Sequence, residues 1–157
     1  MYSNNLDSVF IGGMLIFALI VLAVAIFIAV LYLLNLQNLL KEISPSNREV
    51  EPSNVWLMFI PLFNMIYPFI LYPKISDSVK KEYAERGIAK GGDFGRSIGI
   101  TMPILGLCGW IPFLGGLAGL ANLILFIIFW VKMAEYKNEL IATKRVGGFS
   151  TSTDLLD

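Results

Sequence analysis

The chain has 157 residues, of which 56% are apolar and 15% charged, and its 12 Lys+Arg balance its 12 Asp+Glu. Soluble domains average about 25% charged residues, and nucleic-acid binders need a basic excess to neutralise phosphates, so the composition points away from both classes and toward a small membrane protein. With no histidine and one cysteine, Cys108, internal disulfides, His-based metal or haem ligation and Ser-His or Cys-His catalysis are excluded.

The first element is a charge-free stretch from Ser8 to Leu40, between Asp7 and Lys41. About 20 apolar residues cross the roughly 30 Å hydrocarbon core as a helix, and Val9 to Leu34 shows no polar face at the 3.6-residue period. A spanning helix over 9–43 is predicted. Its end, with Leu36, Leu39, Leu40 and Ile43 on one stripe, is amphipathic and stops at Ser44-Pro45. No Lys or Arg precedes the run, and it exceeds a signal-peptide core of about 7–15 residues, so it reads as a retained anchor.

The second charge-free stretch runs from Pro52 to Pro73, between Glu51 and Lys74. It predicts a spanning helix over 54–86, kinked at Pro61, Pro68 and Pro73, each of which removes a backbone donor. Ile75, Val79 and Tyr83 form a stripe beyond the span, Glu82 and Arg86 stand at the favourable i, i+4 spacing, and Gly87 is a cap. A glycine-rich loop follows, in which Asp93 caps the next helix.

The third stretch, Ser97 to Val131, is too long for one crossing, and Gly109 and Pro112 break it into helices over 94–108 and 111–141. Met133, Tyr136, Leu140 and Ile141 continue the last as an amphipathic end. The helix over 94–108 reaches only about 23 Å. Two all-α architectures follow: a four-helix transmembrane bundle, or three spans plus one arm of a re-entrant hairpin. Either is a single transmembrane domain over 1–146, with a mobile polar tail over 147–157.

With four spans, ten of the twelve Lys and Arg share one side, and only Lys41 and Arg48 lie on the other. The positive-inside rule then places both termini in the cytoplasm. Trp56 and Trp110 fall at the outer ends of helices, while Trp130 and Tyr72 adjoin the inner lysines, Lys132 and Lys74, as interfacial anchors.

Asn64 and Asn122 each precede one of those lysines by ten residues, about 15 Å of helix, which places both amides near the bilayer midplane. There an amide needs a partner: the two bond to each other, or each bonds a nearby carbonyl. Gly115, Ala118, Gly119 and Asn122 follow i, i+3, i+4, i+7 and form one smooth face, with a GxxxG that permits close helix packing. No ionisable residue falls at the predicted hydrocarbon depth, where ion-coupled transporters place theirs. No catalytic constellation, metal-ligand set or cofactor motif is present, so the chain does not read as an enzyme.

Trp56, followed by Ile60-Pro61-x-x-Asn64 and Pro68, resembles the Trp…Pro-x-x-Asn-x-x-x-Pro signature of a family of uncharacterised bacterial multi-spanning membrane proteins. The likeness extends from Trp56 to Lys80 at most, and Trp56 stands further before the proline than the signature has it. It implies a bacterial cytoplasmic membrane and emphasises Pro61, Asn64 and Pro68, with no activity attached. Two functions remain. One is an interaction or accessory subunit whose partners are the lipid bilayer and a larger membrane complex or a second copy. The other is a small-solute or lipid-handling transporter built on the proline-kinked helix and the amides. A polar cavity reaching Asn64 and Asn122 from one side favours the second reading, and a dry, filled interior counts against it.

Overall fold

Long runs without charge or regular polar punctuation have one way to satisfy their amides internally, and the chain is accordingly helical, with no strand among the described residues. The computed structural model describes the backbone of residues 2–153 and the side chains of residues 9–144. The elements are α1 (Tyr2–Glu42), a 3-10 turn (Pro45–Asn47), a 3-10 helix (Pro52–Phe59), α2 (Phe63–Ile66), α3 (Pro68–Glu85), α4 (Arg96–Cys108) and α5 (Gly115–Thr153). Two stretches are long and apolar enough to cross a membrane, Val9–Glu42 and Gly115–Lys144.

Where one domain is expected over 1–146, the chain divides into one unit ending at Leu34 and a second beginning at Asn35. In the first, α1 presents apolar side chains outward around its whole circumference: Val9, Ile20 and Phe27 are all more than half exposed. α5 continues through Thr153, so residues 147–153, expected in a tail, are helical, while 154–157 lie outside the described residues.

In the second unit the expected helix over 54–86 is three pieces. Pro52 opens a 3-10 helix of 8 residues, about 16 Å long, too short to cross a bilayer core. The chain turns at 60–67 and re-forms as α3 with Pro68 in its first turn, where the missing N–H costs no helical bond. The segment before the turn then lies alongside α3 in the opposite sense. The Glu49 amide donates to Ser78 Oγ at 2.8 Å, and Asn47 Nδ2 donates to Glu82 at 2.7 Å. These contacts correct the expectation that the loop holding Lys41 and Arg48 lies at the opposite end from the loop after Lys74. Both loops sit at one polar end, because a charge-free stretch of the right length need not be a straight helix when its prolines let it double back.

α4 and α5 form the second hairpin. Arg96 pairs with Asp77, and further along α4 a Cβ on Gly99 would lie 2.6 Å from Tyr72 Cβ and 3.4 Å from Phe129 Cε2. Tyr72 packs against Phe129 with the rings tilted at 55° and centroids 5.0 Å apart, which completes a layer in which α3, α4 and α5 touch. α3 and α5 run parallel, since Tyr83 meets Tyr136 and Arg86 reaches the Leu140 carbonyl. The stripes read from the sequence form the core of this end: Leu36, Leu39, Leu40, Ile43, Ile75, Val79, Met133 and Leu140 are all buried.

Gly99 is the position where the close approach depends on a missing Cβ. Gly99→Ala forces α3 and α4 apart and costs about 1–3 kcal/mol of stability, whereas Gly119→Ala, with nothing within 4 Å of the added Cβ, leaves stability unchanged or slightly raised. Thermal unfolding of the two variants beside the parent protein checks this.

Candidate functional site

Beyond the Tyr72–Gly99–Phe129 layer, on the side away from the charged end, the two hairpins separate and enclose a cleft of about 800 Å³. The first hairpin contributes Pro61, Asn64 and Pro68, and the second contributes Met102, Gly106, Gly119 and Asn122. The prolines shape it: a backbone bond from the Asn64 amide to the Ile60 carbonyl, 2.9 Å, wraps the turn around Pro61, and Pro68 stands in the first turn of α3. Leu62 and Trp110, each more than four-fifths exposed, stand at the rim. No Asp, Glu, Lys or Arg lines the cleft.

The two amides thus belong to one cavity, but among the described residues no hydrogen bond joins them. Asn64 is exposed in the cleft wall. Asn122 Oδ1 is buried and has no protein partner, a costly condition for an acceptor in apolar surroundings. Gly106 makes the room in front of it: a Cβ there would come within 3.8 Å of Asn122 Nδ2.

The other residues singled out by sequence fall elsewhere. A Cβ on Gly115 would lie 2.4 Å from the Gly109 carbonyl oxygen, so Gly115 serves the α4–α5 turn. Gly119 faces the open cleft, Ala118 is half-buried outside its lining, and the tight helix contact is made at Gly99 instead. Pro73 lies inside α3. Trp56 stacks on Phe59 and donates its indole N–H to Gln37 Oε1 at 3.3 Å, and Trp130 sets its edge against Phe126. Lys74 and Lys132 lie just on the charged side of the Tyr72–Phe129 layer.

Sequence spacing does not show the polar knot at the charged end. Glu82, 1% exposed, accepts hydrogen bonds from the Ser44 amide, Ser44 Oγ, Asn47 Nδ2 and Arg86 Nε. Arg86 in turn donates to the carbonyls of Glu42, at 2.8 Å, and Leu140, at 2.7 Å. Arg48 closes the end of α1 by donating to the Leu40, Lys41 and Ile43 carbonyls, a cation at the negative pole of a helix. Lys90 bridges Glu135 and Glu139 over the Tyr136 ring, and Tyr83 donates to Glu139. Only the Glu82–Arg86 spacing signalled any of this in the sequence, and it signalled a surface pair. Among the described residues no group of His, Cys, Asp or Glu is arranged to hold a metal ion.

The knot has a pH dependence with a definite sign. Burial pushes the Glu82 carboxyl up, but hydrogen bonds from Asn47, Ser44 and Arg86 outweigh it and hold Glu82 below its ordinary 4.5. Hydrogen bonds from Ser97 and the Gly95 amide bring Asp93 down to about 2. Groups depressed in the folded state stabilise it fully above their unfolded values, and that stabilisation is lost as pH falls through the folded ones. Stability should therefore decline from about pH 4.5 downward. Glu82→Gln should cost about 1.5–3 kcal/mol at neutral pH and flatten the acid limb, as read by thermal melts across a pH series.

No protein-family model matches the chain, and no curated protein or solved structure is significantly similar to it.

Proposed function

We propose that the protein is an integral membrane protein that handles a lipid or lipid-like solute in the cleft between its two hairpins, by binding and without catalysis. The observation that carries this reading is the cleft itself. It is a mainly apolar cavity of about 800 Å³ that reaches both Asn64 and Asn122 and contains no ionisable side chain, within the size range of small-molecule sites, about 300–1,000 Å³. A bundle serving only as packing surface would fill this space.

In this reading α1 is the complete crossing, and both hairpins enter the bilayer from one face and return to it. α4, with 13 residues, extends about 20 Å, enough for a re-entrant arm and short of the core thickness. Lys41 and Arg48 then join the other basic residues on one side, and the positive-inside rule makes that side cytoplasmic. The N-terminal end of α1 carries Asp7 and no Lys or Arg, the composition the same rule expects of a translocated end. This arrangement replaces the four-span topology with both termini inside. The setting is a cytoplasmic membrane, in keeping with the bacterial resemblance of the Trp56–Pro68 segment.

The accessory-subunit reading draws on a different observation, the outward apolar side chains of α1 from Val9 to Leu31, a surface fit for lipid, for a second copy or for a helix of a larger complex.

Two measurements test the proposal. In a Cys108→Ser background, cysteines at Ser46 and Lys90 should both react with an impermeant thiol reagent from the cytoplasmic face; reaction from opposite faces would restore the four-span topology. Native mass spectrometry of the purified protein should show a retained lipid that Gly106→Leu, which fills the cleft, displaces. Gly116→Leu, which lies outside the cleft lining, should leave it in place. Equal retention in the two variants would count against the cleft as the site.

A further inference from the structure

The cleft carries information about the chemistry of its occupant. Its walls are apolar apart from the amides of Asn64 and Asn122, the Tyr72 hydroxyl and the Trp110 indole N–H, and no charged side chain lines it. The nearest lysines along the two helices, Lys74 and Lys132, are ten residues removed from the amides, about 15 Å. A phosphate brought to the amides would lose its hydration with no cation to replace it, which is prohibitive in such surroundings. What the site does offer is an acceptor and a donor on one side chain: Asn122 Oδ1, buried and without a protein partner, and Nδ2, which faces the gap left by Gly106. A group that donates to the first and accepts from the second, and bears no charge, satisfies both at once. A hydroxyl does so in the space of a single oxygen.

We infer that the cleft selects a neutral lipid with a free hydroxyl head, of the diacylglycerol class, seating the hydroxyl on the Asn122 amide and the acyl chains along the apolar walls toward Leu62 and Trp110. The inference rests on the lipid-handling reading and narrows it to one class. The exposed positions of Leu62 and Trp110 at the rim provide the chains with a path into surrounding hydrocarbon. Anionic and zwitterionic phospholipids are rejected by the absence of a counter-charge, a selection by penalty rather than by added contact.

The test uses the full chain in detergent micelles, with 1,2-dioctanoylglycerol and dioctanoyl phosphatidic acid as probes and bound fraction read by native mass spectrometry. The parent protein should bind the diacylglycerol at least about tenfold more tightly than the phosphatidic acid, the scale of one buried hydrogen bond left unmade. Asn122→Leu should reduce diacylglycerol affinity about tenfold and narrow the preference, with unchanged helical content by circular dichroism, and Gly106→Leu should weaken both lipids. Equal binding of the two lipids by the parent protein overturns the inference and leaves the lipid-handling reading standing; that comparison needs no variant to fold. Full diacylglycerol affinity in Asn122→Leu overturns it as well. Binding of neither lipid, together with no lipid retained from the membrane, overturns the inference and the reading beneath it.

Discussion

The buried carboxylate of Glu82 is the contact on which the arrangement of the second unit turns. A carboxylate almost fully removed from water is tolerable only when its lone pairs are filled, and here the donors come from the 44–47 segment and from Arg86 one helical turn away. Because Arg86 also binds the carbonyls of Glu42 and Leu140, one ion pair ties the end of α1, the loop after it, α3 and α5 at a single level. Orphan carbonyls at a helix end and a desolvated charge satisfy each other, so neither is left as an uncompensated cost.

That tie decides the topology of everything above it. Once the loop after α1 is held beside the end of α3, the intervening 52–67 segment has to leave the charged end and come back. The prolines make the return possible: a 3-10 helix begun by Pro52, a turn carrying Pro61, and Pro68 in the first turn of α3. α4 and α5 repeat the excursion with Gly109 and Gly115 at their turn. The layer of Tyr72, Gly99 and Phe129 joins the two hairpins, and beyond it they diverge. The cleft is therefore a consequence of two hairpins clamped at one end and spread by proline-bearing turns at the other.

The same geometry explains why the amides are unpaired. Asn64 and Asn122 each stand ten residues before a lysine, but equal spacing along the sequence does not set the distance between them. The divergence of the hairpins past the aromatic layer does. Gly106, with no side chain, leaves space beside Asn122 Nδ2, and Asn122 Oδ1 is buried without a protein partner.

Composition and periodicity determined the local structure: uncharged runs that are helical, two of them long and apolar enough to cross a membrane, the stripes of Leu36, Leu39, Leu40, Ile75, Val79 and Met133 that are buried, the break between α4 and α5 at Gly109 and Pro112, and the role of Asp93 at the start of α4. Those are short-range consequences of side-chain polarity and backbone freedom, readable one element at a time. Which loops share an end was not readable in this way, because the signal lay in Ser44 and Asn47 bonding to Glu82, more than thirty positions away, a partner no spacing rule can name. Charge counting assigned Lys41 and Arg48 to the wrong company because it assumed a straight helix between Glu51 and Lys74. The close approach at Gly99, rather than at the Gly115–Gly119 pair, was likewise a tertiary matter: a glycine permits contact, and only the neighbouring helix, here through Tyr72, decides where contact occurs.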